Sequence, residues 1–442
     1  MEKAWGLVLD EFPWMMAIPC VTHVLSLLMK DVGSKVPAIS QLIEEERIVV
    51  GWFANHQKPL AILRQKCLDM WGHSKELVKA AATRFGTNTL VGQRLLQLEV
   101  PLRQTVSDVE YLKERYRDKA NEMETTGCEN KTRTHKGGTA AKLVSSTTDD
   151  NMWDRIRMHV DATLPIYKML RRHDSSAPTI GKVYSGWFEL GKSFTSSNAP
   201  YAADLKEFHE DRWSYGHCDI LAAAYMLDPE FLGHDFNAEP EIKTGFFATI
   251  KHVAMLQYVK GNLENYQKAW EQRAAFLSKD PVHNIRKFDA YPLYDTEESK
   301  LFTIEFAKKA AAQHVLYEER HGPFAEEFII SAAEDMPAHL WWDKYGFCVK
   351  ELQTVACYVL SQCPTASIIE RINSDFAFIK DKKRNRLKHD RADKLVALFH
   401  NLRMVNKMKK CAYVESAVGW NEEDMHTGIQ KWGVTHYDIK ST

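Results

Sequence analysis

No Cys-x-x-Cys pair occurs in this 442-residue chain, and no apolar run approaches the length of a membrane span. The eight cysteines (Cys20, Cys67, Cys128, Cys218, Cys348, Cys357, Cys363 and Cys411) are scattered. That scatter argues against a disulfide framework and fits reduced thiols in cytosol or nucleus. An excess of one charge is also missing. Lys and Arg total 58 against 59 Asp and Glu, for a net charge of −1. Bulk charge therefore does not mark a nucleic-acid binder, and any DNA contact has to come from a local patch. The opening MEKAWGLVLDEFPWMM carries acidic residues inside its apolar run and lacks a signal-peptide pattern. There is no lipidation motif and no internal repeat, so the expected partners do not include a membrane. What is present is ordinary for a globular protein: 45% hydrophobic and 26% charged residues. The length allows two or three domains, or one domain with a large insertion.

Hydrophobic periodicity predicts a mainly α protein with few strands. Residues 1–33 read as a short helix, a strand-like run at Met15–Ile18 and a second helix. In that helix, VTHVLSLLMKDV, residues Val24, Leu25, Leu28 and Met29 share one face. Helical patterns fill 37–118. From about 121 to 152 the composition turns to Ser, Thr and Gly-Gly, which predicts a disordered loop. Helical patterns return over 153–275, with breaks at Pro200 and near Asp228-Pro229. An irregular connection is expected at 281–300 and helix again at 301–336. Val349, Leu352, Val355, Ala356 and Val359 fall at helical spacing, as do Ala392, Leu395, Val396, Phe399 and Leu402.

The block from Trp341 to Arg403 carries the most information. It reads WWDKYG, then FCVKELQTVACYVLSQ, then CPTASIIERINSDF, then KDKKRNRLKHDRADKLVALFHNLRM. This order resembles the C-terminal dimerisation region of hAT-family transposases: a Trp pair, an amphipathic helix, a Ser/Ala-rich turn, a Glu-Arg motif and a basic Lys-Arg-Asn-Arg-Leu motif. Other segments resemble the same family. Pro19-Cys20-Val21-Thr22-His23 is similar to its Cys-x-x-His element, which in the family follows the last strand of an RNase H-like core. Thr83-Arg84-Phe85 is similar to an element of its helical insertion domain. LPIYKMLRRHDSSAPTIGKVY and ILAAAYMLDPEF resemble two further segments. The resemblance covers roughly residues 1–405.

It implies the following organisation. Residues 1–33 would be a remnant of an RNase H-like core. Residues 34–336 would be the helical insertion domain with the 121–152 loop, 337–405 the dimerisation region and 406–442 a tail. It also implies a third catalytic carboxylate at Glu370, beside Arg371. In the family the BED-type zinc finger and the first two catalytic aspartates lie upstream of the segment that Met1 begins, and this chain carries none of them. Transposition of this class needs two Mg²⁺ ions held by three converging carboxylates. One carboxylate at a helix start does not supply that set, so no metal or cofactor is expected in this chain, and Mg²⁺ only in a complete transposase. Asp10, Asp31, Asp228 and Asp375 are rejected as substitutes because none sits at a recognisable strand end.

Each residue also has a plainer reading. Ser367-Ile368-Ile369-Glu370 has the S-x-x-E pattern of a capping box. Cys20 and His23 have the spacing of half a zinc site, but no second pair accompanies them. The reading preferred is a helix start with a buried thiol and a hydrogen-bonded imidazole. Phe85 is either a stacking platform for a base, with Arg84 near phosphate, or a core side chain. Lys383, Arg384 and Arg386 lie in a run with Lys380, Lys382, Lys388, Arg391 and Lys394. That run is a phosphate-contacting or nuclear-localisation patch, or a solvated surface. Trp341, Trp342, Leu352, Val355, Val359 and Phe399 are the expected dimerisation residues, although part of their apolar surface must serve the chain's own core.

The sequence thus points to a nuclear, transposase-derived protein that is catalytically incomplete. It is expected to act as a homodimer or higher oligomer, with full-length hAT transposases and DNA as further candidate partners. The alternative is the C-terminal portion of an active Mg²⁺-dependent DNA transposase whose N-terminal part is missing from the gene model.

Overall fold

The computed structural model describes residues 5–6, 8–9, 15–79, 86–112, 144, 149–174, 177–236, 239–264, 296–380 and 388–408. Of residues 367–371, 374, 404 and 406–408 it describes the backbone alone. The described chain is mainly α, with no strand among the described residues. The strand-like run at Met15–Ile18 has no regular structure. A short apolar stretch reads as a strand only when a neighbouring strand completes its hydrogen bonds.

The chain divides into two compact units. One comprises residues 23–170 and 189–215. Its helices are α1 (Val21–Lys35, from residue 23), α2 (Pro37–Asn55), α3 (Gln57–Trp71), α4 (Gly86–Gln97), α5 (Glu99–Val106) and most of α6 (Asp150–His173). The second half of α7 (Val183–Thr195) and all but the last residue of α8 (Ala202–Gly216) belong here too. Pro37 at the first position of α2 supplies the fixed φ that starts a helix without losing a needed N–H. Val24, Leu25, Leu28 and Met29 are all buried, as the spacing of α1 predicts. Val49, Phe53, Leu63, Cys67, Leu95, Leu102, Tyr111, Trp153 and Ile156 form one contiguous core. Helix α6 begins at Asp150, so the last residues of the expected 121–152 loop are helical. The rest of that segment, Val144 and Asp149 apart, lies outside the described residues.

The other unit comprises residues 1–22, 171–188 and 216–442. At its centre is α9 (Asp219–Leu227), whose sequence DILAAAYML is buried all round from Ile220 to Leu227. Helix α10 (Pro240–Gly261), helix α14 (Lys350–Leu360) and the 3₁₀ turn Ile180–Lys182 pack on it. The close approach of α9 and α10 rests on small residues. A methyl group added at Gly245 would lie 2.8 Å from the Ala222 Cβ. Helix α11 (Glu297–Glu318) packs on α10 and α14, and α13 (Ala338–Tyr345) packs on α14. Thr296 starts α11 by accepting the Ser299 N–H, as an N-cap side chain does.

This division cuts the sequence segments 1–33 and 34–336 internally. Residues 216–264 and 296–336 share a unit with 337–405. Composition and periodicity mark where helices lie, while partners far apart in sequence decide which helices share a core.

Candidate self-association region

The C-terminal helices are built on a knot of aromatic rings. Tyr317 at the end of α11, Phe324 in the 3₁₀ turn Gly322–Ala325, and Trp341 and Trp342 of α13 are all fully buried. Tyr317 and Trp342 ring centroids lie 4.7 Å apart, and the two tryptophans meet edge to face at 5.5 Å. Both indole N–H groups are satisfied by backbone. Trp341 donates to the Ile329 carbonyl of α12 (Glu327–Ser331) at 2.6 Å, and Trp342 donates to the Leu227 carbonyl at 2.7 Å. Burial raises the Tyr317 hydroxyl well above its ordinary range.

Helix α14 presents Leu352, Val355, Ala356, Val359 and Leu360 to this core, all at 1% exposure or less. Its first turn is capped from α11. The Leu352 N–H donates to Gln313 Oε1 at 2.9 Å, and Gln313 Nε2 donates to Glu351 at 2.6 Å. Trp341, Trp342, Leu352, Val355 and Val359, expected at a dimer interface, are fully buried within the single chain. An amphipathic pattern cannot say whether its apolar side meets the same chain or another one.

Helix α15 (Ser367–Ile379) starts where the Pro19–Thr22 segment docks. The Ala366 N–H donates to Cys20 Sγ at 3.2 Å, and the Val21 N–H donates to the Pro364 carbonyl at 2.9 Å. The Thr22 and Thr365 hydroxyls are 2.9 Å apart, and Cys20 Sγ lies 3.1 Å from the Thr22 hydroxyl. Cys20 therefore serves as a hydrogen-bond acceptor at the entry to α15. Cys20, expected to be buried, is half-buried, and His23, expected to be hydrogen-bonded, is exposed. The cap residue of α15 is Ala366, and Ser367 is already helical. Glu370 then stands one position beyond the place a capping box requires. Of Glu370 and Arg371 the structure gives only backbone positions, in the first turns of α15.

Helix α16 (His389–Met408) packs on α15. Ala392 and Val396 are buried on the inward side, and the Phe399 ring stacks on Phe378 at 5.5 Å. Buried Asp375 accepts from His400 Nδ1 at 2.9 Å and from Arg403 at 2.7 Å. Phe399, expected at an interface, is half-buried. Leu395, Leu398, Leu402 and Val405 are 43–56% exposed, with Phe378 at 59%. The one apolar set read from this helix is thus split between an inward and an outward stripe. Leu398, Val405 and Phe378 were not among the expected residues. Their signal was the 3-4-3 spacing of Leu395, Leu398, Leu402 and Val405, distinct from the inward spacing of Ala392, Val396, Phe399 and Arg403.

The four acids rejected as catalytic substitutes fare as follows. Asp31 is buried against Arg212 and Lys35. Asp228 is buried against Lys182 at 2.9 Å and caps the turn Pro229–Phe231 through the Glu230 N–H. Burial pushes the Asp228 carboxyl up, and the Lys182 ammonium offsets part of that shift. Asp375 is bonded as above, and Asp10 lies outside the described residues. Among the described residues, no three His, Cys, Asp or Glu side chains stand together as a metal site. The candidate DNA contacts Arg84, Phe85, Lys383, Arg384 and Arg386, together with most of the 406–442 tail, also lie outside the described residues. No described helix is long and apolar enough to cross a membrane.

Comparison with known families matches residues 320–402 to the hAT family C-terminal dimerisation region. The match spans Phe324, Trp341 and Trp342 of the aromatic knot, then α14, α15 and most of α16. No curated protein matches the chain.

Proposed function

Since residues 320–402 carry a hAT family C-terminal dimerisation region, so that the chain is hAT transposase-like, we propose that it acts by self-association. In this reading it is a transposase-derived protein that pairs with copies of itself, or with full-length hAT transposases, in the nucleus. By itself it does not cut DNA. The observation that carries the reading is the coincidence of the matched segment with a folded helical module that leaves an apolar helix face uncovered. A role in DNA binding would use Arg84 and Phe85 as a stacking and phosphate-contacting pair, with Lys383, Arg384 and Arg386 as a basic patch.

The test is the molar mass of the 442-residue chain in solution across a concentration series. A concentration-dependent dimer or higher oligomer supports the proposal, and a monomer at high micromolar concentration ends it. Binding to duplex ends and to plain duplex at two salt concentrations tests the DNA role, because phosphate contacts weaken steeply with salt.

The placement of Glu370 favours a second reading. It stands in the first turns of a helix whose entry is fastened by Cys20, Val21 and Thr22. By resemblance to the family, Glu370 would be the third carboxylate of a longer, Mg²⁺-dependent transposase. Mg²⁺-dependent strand cleavage by a longer product, lost in Glu370→Gln, is the expected result under this reading.

A further inference from the structure

Helix α16 carries two apolar stripes, and the chain uses one of them. Ala392, Val396 and Phe399 turn toward α15, held there by the Asp375 bonds to His400 and Arg403. At about 100° per residue, Leu395, Leu398, Leu402 and Val405 form a second stripe roughly 120° around the helix. All four are exposed, at 43%, 56%, 52% and 44%. Their spacing of three, four and three residues is the a–d repeat of a helix pair packing knobs into holes.

We propose that this outward stripe is the seam through which a second copy of the chain pairs, α16 against α16. The proposal rests on the self-association reading above and assigns the surface that performs it. Three observations select a second copy as the occupant. The stripe continues a segment matched to a dimerisation region, whose tryptophans and α14 residues are taken up by the chain's own core. A single stripe on one helix is complementary to itself about a two-fold axis, so no second kind of surface is needed. The positions flanking the seam are Lys394, Phe399, Asn401 and Asn406. In a parallel pair Lys394 faces Phe399 of the other copy and Asn401 faces Asn406, so no like charges oppose each other across the seam.

The seam is short. Arg391 stands where the preceding heptad would place its next apolar residue, so the stripe begins at Leu395. Four half-exposed aliphatic side chains with Phe378 nearby give much less than the ~800 Å² per partner of a standard interface. The pairing expected is weak and dependent on concentration.

Sedimentation velocity on the full chain tests this, from about 1 to 100 µM, the range suited to an interface of this size. Three proteins are compared: the unaltered chain, the double variant Leu398→Glu with Leu402→Glu, and the control Val109→Glu. Val109 is 64% exposed and lies outside the matched segment. The expected result is a dimer for the unaltered chain and for the control, with association at least about tenfold weaker in the double variant, as buried glutamates on a seam require. Circular dichroism and melting of the double variant should match the unaltered chain, because both leucines are exposed in the single copy. A double variant that dimerises as tightly as the unaltered chain overturns the seam and leaves self-association standing. An unaltered chain that stays monomeric throughout overturns both.

Discussion

Gln313 on α11 and Leu352 on α14 are joined by a side-chain cap: Gln313 Oε1 accepts the Leu352 N–H at 2.9 Å. The first N–H groups of a helix have no partner within it, and here a neighbouring helix supplies one. The same amide donates to Glu351, so α11 fixes both the start and the orientation of α14. Gln313→Leu keeps the volume and removes both bonds. A loss of about 1–2 kcal/mol in denaturant unfolding is expected, the usual magnitude for removing a helix cap.

Trp342 bonds the end of α9 across 115 positions of sequence, through the Leu227 carbonyl. Trp342→Phe leaves that carbonyl unpaired in a fully buried site and leaves a void beside Tyr317. Destabilisation of about 2–4 kcal/mol is expected. Thermal unfolding followed by tryptophan fluorescence and by circular dichroism measures it. An unchanged melting midpoint would show that the aromatic knot is not the core of this unit.

A methyl group at Gly181 would overlap the Asp228 carboxylate. Gly181→Ala therefore pushes Asp228 off Lys182 while both groups remain sheltered from water. Breaking a buried pair is costly because the charges stay behind, and about 3 kcal/mol is the expected loss. Gly181→Ala combined with Asp228→Asn should recover part of it, since the carboxylate charge is then gone. Chemical denaturation of the two variants side by side provides the comparison.

Burial lowers the His314 pKa from 6.5 to about 4, with the Lys243 charge acting in the same direction. Above pH 6.5 neither the folded nor the unfolded imidazole is protonated, and its contribution to stability is fully present. As the pH falls below 6.5 the unfolded chain takes up a proton that the folded chain refuses until about pH 4. Stability should fall by about 1.4 kcal/mol per pH unit over that window from this residue. His173, lowered to about 3 by burial, adds loss of the same sign. Unfolding free energies measured from pH 7 to 4 should slope downward with acid, and His314→Gln should make that slope shallower.

Cys20 accepts the Ala366 N–H where α15 begins. Cys20→Ser keeps an acceptor and should be close to neutral. Cys20→Val removes it and should cost about 1 kcal/mol. Hydrogen exchange at the Ala366 amide reads the bond directly: faster exchange is expected in Cys20→Val and near-unaltered exchange in Cys20→Ser.

Local features could be read from residue spacing alone. A 3.6-residue period is written into the chain, so the helices and their apolar sides, such as Val24 to Met29 on α1 and Leu352 to Val359 on α14, were legible from spacing alone. The ordered motifs from Trp341 to Arg403 were legible too, since motif order is a property of the chain. Tertiary structure decided what each apolar side meets. It placed the Trp341–Trp342 pair in the core and left Leu398 and Leu402 outside. It also gave Asp31, Asp228 and Asp375 basic partners from other elements of the chain, Arg212, Lys182 and Arg403. Burial depends on which element lies opposite, and that element comes from tens to hundreds of residues away. A helical period carries no record of it. For the same reason the thiol of Cys20, spaced from His23 like half a metal site, proved to serve a helix start 346 residues downstream.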